Sequence, residues 1–104
     1  MIELRGKQKR YLRASAHSMN PLFSVGKQGL TENWLEQLGS AMEKRELFKV
    51  NILNNSDVTV DEVKEFIESN SSIQVVQTIG HTLVLFDQAR DPKYRNYSIA
   101  VQKI

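Results

Sequence analysis

Two glycines that flank a lysine and a glutamine, Gly26-Lys27-Gln28-Gly29, form the segment of this sequence best suited to bind a ligand. The segment follows a short β-rich run and precedes a run with helical spacing. Glycine lets a ligand approach the backbone closely, and the N–H groups at the start of a helix attract phosphate. Lys27 adds a full positive charge at the same position. We name this segment the glycine loop and interpret it as a candidate clamp for a phosphodiester backbone.

The glycine loop does not match the loops that hold nucleotides. It lacks the longer spacer and the Gly-Lys-Ser/Thr ending of a P-loop, and it lacks the pattern of a dinucleotide-binding loop. A tight turn between a strand and a helix is the plain structural alternative. A comparable loop between structured elements is how KH domains hold the backbone of single-stranded RNA.

A second set of basic residues lies in the first predicted helix, over residues 4–17. Arg5, Lys9, Arg13 and His17 recur at four-residue spacing with Arg10 beside them, so they line one side of that helix. Like charges at this spacing destabilise an isolated helix by roughly a few tenths of a kcal/mol per pair. An anionic partner is one physical reason for such a stripe, and a solvated basic face is the alternative.

Charge is unevenly distributed along the chain, which has 14 Lys or Arg residues, 12 Asp or Glu residues and a net charge of +2. Residues 1–29 hold six basic and one acidic side chain, whereas residues 30–72 hold four basic and nine acidic side chains. Residues 73–104 hold four basic and two acidic side chains. Such separation gives a domain a positive region suited to polyanions even when its net charge is small.

The composition argues against several classes of site. The absence of cysteine excludes a disulfide scaffold, a thiolate metal site and a cysteine nucleophile. His17 and His81 lack metal-ligand spacing, no serine lies in a nucleophile elbow, and the acidic residues of the later helices are interpreted as solvated faces. We therefore predict a protein that is not an enzyme, with no metal, no cofactor and no small-molecule substrate.

The length and hydropathy indicate a single packed domain. A chain of 104 residues with 40% hydrophobic residues can bury a core without staples. No apolar run is long enough to cross a membrane, and no apolar stretch follows the basic start as it would in a secretory signal. We expect a cytoplasmic monomer that does not bind membranes.

Capping and turn signals predict the remaining elements. Thr31 is expected to cap a second helix, with Leu30 and Leu35 as a hydrophobic staple. Phe48, Val50 and Ile52 alternate with polar residues, which predicts a half-buried strand. Trp34 is expected in the core rather than on a stacking surface. The other signals are a strand at residues 22–25, a capping box at residues 59–62, and strands at residues 73–79 and 82–86 joined by a turn at Gly80-His81.

These elements predict an α/β (α+β-like) single domain with the order α-β-α-β-α-β-β, its helices packed on a small mixed four-stranded sheet. The domain is expected to span residues 1–87. Residues 88–104 form a tail in which Tyr97, Ile99 and Val101 alternate. Three states of this tail are open: an extra edge strand, docking on the body, or disorder.

Five segments, taken in order, resemble the CRM domain, named for chloroplast RNA splicing and ribosome maturation, and most closely the bacterial single-domain YhbY-like proteins. They are residues 7–13, 16–17, 25–31, 46–50 and 79–86, so the resemblance covers about residues 4–86. It implies a fold similar to the C-terminal domain of bacterial translation initiation factor three. It also implies RNA binding and an association with precursors of the large ribosomal subunit.

The chain departs from this family in its last hairpin. Where the family often has Gly-Lys-Thr-Leu-Val-Leu-Tyr-Arg, this sequence has Gly-His-Thr-Leu-Val-Leu-Phe-Asp, which removes two basic residues and a tyrosine hydroxyl. We therefore place the predicted site on the first helix and the glycine loop. The predicted RNA-binding residues are Lys7, Lys9, Arg10, Arg13, Gly26, Lys27, Gln28 and Gly29.

The sequence thus predicts an RNA-binding protein that holds precursor rRNA of the large (50S) subunit and assists ribosome assembly. Two other classes of function remain open. One is a basic adaptor that docks ribosomal or acidic proteins without direct RNA specificity. The other is a small enzyme that acts on RNA or nucleotides, for which no catalytic set is visible.

Overall fold

A computed structural model of the protein describes residues 3–104, so the first two residues of the predicted domain lie outside the described residues. The first seven elements follow the predicted order, and a short 3₁₀ helix (Pro92–Tyr94) and a fourth α-helix come after them. The helices are α1 (Gly6–Ala16), α2 (Glu32–Arg45), α3 (Val60–Asn70) and α4 (Tyr97–Gln102). The strands are β1 (Phe23–Val25), β2 (Leu47–Ile52), β3 (Gln74–Ile79) and β4 (Thr82–Phe86).

The strands form one mixed four-stranded sheet in the order β1-β2-β4-β3, which confirms the predicted fold class. β1 runs parallel to β2, and β4 runs antiparallel to both β2 and β3. Val50 of β2 lies opposite Phe23 of β1 and Leu83 of β4. β2 and β4 are therefore the central strands.

Helices cover the central strands on both faces. Phe48, Val50 and Leu83 belong to the core cluster that α2 and α3 complete from one side. Leu47, Val84 and Phe86 point to the other side and pack with residues of α1 and α4. The predicted alternation of β2 is confirmed over residues 48–52, and Leu47, which precedes them, is buried beneath α1 and α4.

The helix starts confirm the predicted caps. The Thr31 hydroxyl accepts a hydrogen bond from the Trp34 N–H at 3.0 Å at the start of α2. At the start of α3, the Thr59 hydroxyl accepts from the Glu62 N–H, and the Glu62 carboxylate accepts from the Thr59 N–H. Trp34 packs against the core and donates its indole N–H to the Ser24 carbonyl oxygen at 2.9 Å. The caps at Thr31 and Thr59 therefore begin α2 and α3 at the predicted residues.

The tail forms a helix rather than an edge strand. Ser98 and Val101 are its buried residues, and their spacing of three residues is that of one helix face. The Gln8 side chain donates to the Val101 carbonyl oxygen at 2.8 Å, and its own oxygen accepts from the Arg5 N–H at 2.7 Å. The buried Gln8 therefore ties the start of α1 to α4, which docks the tail on the body.

A buried carboxylate, that of Glu46, also holds the tail. Glu46 is fully buried just after α2, and its oxygens accept hydrogen bonds from the N–H groups of Ala89 (2.8 Å), Asn96 (2.6 Å) and Ser98 (3.1 Å). Burial raises the pKa of Glu46, but hydrogen bonds from Asn96, Ser98 and Ala89 together lower it by more than burial raises it. The pKa therefore lies below its ordinary value. Ionised Glu46 therefore satisfies the first N–H groups of α4.

Among the described helices, none is long and apolar enough to cross a membrane.

Replacing Glu46 with Gln is expected to lower the free energy of unfolding by about 2 to 4 kcal/mol at neutral pH. One amide oxygen cannot serve three N–H groups, and the new NH₂ group meets an N–H donor where the carboxylate supplied an acceptor. The pKa of Glu46 is lower in the folded state than in the unfolded state. The stabilisation that the ionised carboxylate gives the wild type is therefore fully present above the unfolded-state pKa, and it is lost as the pH falls through the folded-state pKa.

Urea unfolding of the wild type, Glu46→Gln and the exposed control Glu36→Gln over a pH series measures this effect. The difference in free energy of unfolding between the wild type and Glu46→Gln should become smaller in acid. The free energy of unfolding of the control should match that of the wild type at every pH. A gap that stays constant into acid would show that the Glu46 charge is not what holds the tail.

Candidate functional site

The glycine loop lies at the end of the sheet where the parallel strands β1 and β2 both end. The Leu53 N–H donates to the Val25 carbonyl oxygen at 2.9 Å, which joins the chain after β2 to the last residue of β1. The Ile52 N–H donates to the His81 carbonyl oxygen at 2.8 Å. The glycine loop and the Gly80-His81 turn therefore share one end of the molecule, which we name the loop end.

The glycine loop is a tight turn that needs glycine at only one of its two glycine positions. The Gly29 N–H donates to the Gly26 carbonyl oxygen at 3.0 Å, and Gly29 has a φ of +69°, in the left-handed region. Gly26 has no positive φ, and a Cβ built there would meet only Leu53 Cδ1, at an ordinary 3.8 Å. Lys27 and Gln28 are exposed at the tip.

A groove with basic walls runs between α1 and the sheet. The Lys49 ammonium on β2 donates to the His17 carbonyl oxygen at 3.2 Å, so a cation caps the C-terminal end of α1 and is held beside the helix. We name this surface the basic groove; its lining residues are Arg10, Arg13, Ala14, His17, Lys49, Gln77 and Ile79.

The predicted basic residues divide into two groups. Arg10 and Arg13 line the basic groove, whereas Lys7 and Lys9 are exposed on the N-terminal half of α1 and are not among its lining residues. Lys49 lines the groove although sequence reasoning did not select it. The signal was present in the alternation of β2, which places Lys49 on the same face as Leu47.

The sheet separates the charges of the molecule. α1 and its basic side chains lie on one face, and α2 and α3 pack on the other. The acidic residues of α2 and α3 are exposed, as predicted: Glu32, Glu36, Glu43, Asp61, Glu62, Glu65 and Glu68. Within residues 3–104, the ion pairs are Arg90–Glu43 and Lys93–Asp91, neither of which involves α1 or the glycine loop. The basic side chains of this face are therefore available to an external anion.

The part of the chain that the structure describes holds no group of three or more His, Cys, Asp or Glu side chains that could bind a metal ion. His17 lies at the end of α1 and lines the basic groove, whereas His81 lies in the turn between β3 and β4.

The chain matches known proteins over most of its length. Residues 4–86 match the family described as the CRS1/YhbY (CRM) domain. The chain is 44% identical over 90 residues to "Probable RNA-binding protein YqeI" of Bacillus subtilis, and the aligned region covers 86% of this chain and 94% of that protein. It is 36% identical over 93 residues to an RNA-binding protein of Haemophilus influenzae, which covers 89% of this chain and 94% of that protein.

A solved structure shares the fold. The solution structure of the hypothetical protein SAV1595 from Staphylococcus aureus, described as a candidate RNA-binding protein, superimposes with a TM-score of 0.71. The two sequences are 37% identical, and the match covers 90% of this chain and 98% of that one. The fold and the sequence therefore identify the same group of relatives.

The two glycines of the loop should respond differently to substitution. Gly29→Ala is expected to lower the free energy of unfolding by about 1 to 2 kcal/mol, because a Cβ is strained at positive φ. Gly26→Ala is expected to change it by less than about 1 kcal/mol, since its conformation and its neighbours accept a Cβ. Chemical denaturation measures both values; a larger loss for Gly26→Ala would contradict this account of the loop.

Proposed function

Because the chain belongs to the CRS1/YhbY (CRM) domain family, we propose that it binds RNA, and specifically that it holds precursor rRNA of the large ribosomal subunit during assembly without catalysing a reaction. The observation that carries the RNA-binding part is the basic groove at the loop end, on the face of the sheet opposite the acidic helices. Relatives named as RNA-binding proteins support it. The choice of large-subunit precursor RNA follows from the resemblance to YhbY-like proteins.

In this proposal, Arg10, Arg13 and Lys49 contact phosphates in the basic groove, and Lys27 contacts a phosphate at the tip of the glycine loop. Each contact releases counterions, so the affinity should fall steeply as salt is added. Such contacts fix the position of the RNA backbone but carry no information about its sequence. Lys7 and Lys9 extend the positive surface along α1 and contribute phosphate contacts outside the groove.

The glycine loop has a defined part in this proposal. Gly26 is not required by its backbone conformation or by a neighbour in the fold, so the close approach of an external backbone is the physical reason left for a glycine there. Gly29 instead makes the turn, and Gln28 supplies an amide at the exposed tip. An RNA backbone that passes over Gly26 would meet Lys27 at once.

We expect Arg13→Ala and Lys27→Ala each to weaken binding of a precursor large-subunit RNA fragment by roughly threefold to tenfold near physiological salt. Each should reduce the slope of log affinity against log salt by about 0.7 to 0.9, the value for one lost phosphate contact. Gly26→Asp should weaken binding more, because it places a side chain and a negative charge where the phosphate would lie. Fluorescence anisotropy over a salt series measures all three.

Lys64→Ala, on the exposed surface of α3, is the matched control, because it removes the same charge from the opposite side of the sheet. It should retain the wild-type slope. If Lys27→Ala and Arg13→Ala instead coincide with the wild type, the RNA is bound elsewhere. A weak interaction with RNA combined with a protein partner retained after nuclease treatment would favour the adaptor function.

A further inference from the structure

α1 and α4 cover only part of the sheet face on which they lie. Beneath them the sheet is apolar and buried, at Leu47, Val84 and Phe86. Nearer the loop end, one residue from each strand forms a row across this face whose side chains are partly exposed. The register pairs these residues in turn; we name them the open row, which consists of Ser24, Asn51, Thr82 and Ile79.

The open row and the neighbouring Gln77 carry hydrogen-bonding groups, some of which the fold does not use. The Ser24 hydroxyl donates to the Asn51 side-chain oxygen at 2.7 Å, which fixes the orientation of the Asn51 amide, and the Asn51 NH₂ group takes no part in that bond. Among residues 3–104, the Thr82 hydroxyl and the neighbouring Gln77 amide have no hydrogen-bond partner in the protein. Both side chains are half-buried, and Ile79 is 50% exposed. The face thus offers donors and acceptors to a ligand.

The same face is bordered by cations. Gln77 and Ile79 line the basic groove together with Arg10 and Arg13. Lys49 lies two residues before Asn51 on β2, on the same face of the sheet. A ligand bound on the open row would therefore need hydrogen-bonding groups where it contacts the row and negative charge where it contacts the adjacent basic residues. A strand of nucleic acid has this arrangement, with base edges joined to phosphates.

We infer that the open row and Gln77 form a surface that recognises unpaired RNA bases, while the basic groove and the glycine loop hold phosphates of the same strand. This inference rests on the proposed function and adds the class of RNA to it. Amide side chains of Asn and Gln make paired hydrogen bonds with base edges. In a paired A-form helix the major-groove edges of the bases lie too deep for side chains to read, whereas unpaired bases expose these edges.

The dimensions and composition of the surface match hydrogen bonding rather than stacking. Four strands at a spacing of about 4.8 Å give the open row a width of roughly 15 Å, enough for a small number of bases. None of its residues is aromatic. Phe23 lies on the opposite face, where its ring is 5.6 Å from that of Trp34. Because stacking tolerates any base whereas hydrogen bonds discriminate, this surface should give a base preference.

A double variant, Gln77→Met with Thr82→Val, tests the inference because it removes hydrogen-bonding groups without changing charge and with little change in side-chain size. The probes are four homopolymeric single-stranded RNAs of about 12 nucleotides, within the usual range of single-strand sites, and a duplex of the same length. The wild type should prefer single strands and distinguish among the four. The double variant should lose about tenfold in affinity for the preferred strand and less than about twofold for the duplex.

The matched control, Gln37→Met with Thr78→Val, makes the same two changes on α2 and on the other face of β3, and should bind as the wild type does. If the double variant keeps the wild-type affinity for the duplex and the same slope of log affinity against log salt, its phosphate contacts are intact. If the double variant binds the single strands like the wild type, or if the wild type does not distinguish the five RNAs, the inference is overturned while RNA binding stands. If the wild type binds none of them, the proposed function fails as well.

Discussion

The central strands of the sheet, β2 and β4, carry apolar residues on both faces, and burying each such side chain stabilises the fold by about 1.5 to 3 kcal/mol. Phe48 and Leu83 need cover from one side, and Leu47 and Phe86 need it from the other. The chain meets this requirement with α2 and α3 on one face and α1 and α4 on the other. Since α1 carries basic residues and no acidic ones, whereas most of the acidic residues lie in α2 and α3, covering the strands also places these two sets of charges on opposite faces.

Both central strands change from apolar to polar in the same direction. On the face that α1 covers, β2 runs from Leu47 through Lys49 to Asn51, and β4 has Phe86 beside Leu47 but Thr82 beside Asn51. α1 ends over the apolar part, and Lys49 caps its last turn. The uncovered polar part, the basic groove and the glycine loop consequently lie together at the loop end. A polyanion that approaches this end meets positive charge without having to displace an ion pair of the fold.

Local signals in the sequence predicted the caps at Thr31 and Thr59 and the order of the first seven elements along the chain, because each depends on residues close together in the chain. The tail helix was not predicted, since its first N–H groups are satisfied by Glu46, which lies about fifty residues earlier. The alternation of Tyr97, Ile99 and Val101 suggested a strand, but six residues are too few to distinguish the two periods. Sequence patterns cannot show which distant carboxylate a tail will meet.

The same limit applies to the candidate site. Helical spacing predicted a basic stripe on α1, and it included Arg10 and Arg13, which line the groove. It could not show that Lys49 of β2 would join them, because that contact depends on how α1 crosses the sheet. It also could not distinguish Lys9 from Arg10 and Arg13, since the predicted stripe contains all three. Gly26 and Gly29 were predicted together, and only the backbone angles separate their roles.

The most direct test of the account is a map of backbone amide chemical shifts as a precursor large-subunit RNA fragment is added to the protein. The account predicts that the shifts change along α1, in the glycine loop and at the uncovered end of the sheet, with little change on α2 and α3. Shift changes concentrated on α2 and α3, or none at the loop end under saturating RNA, would contradict it.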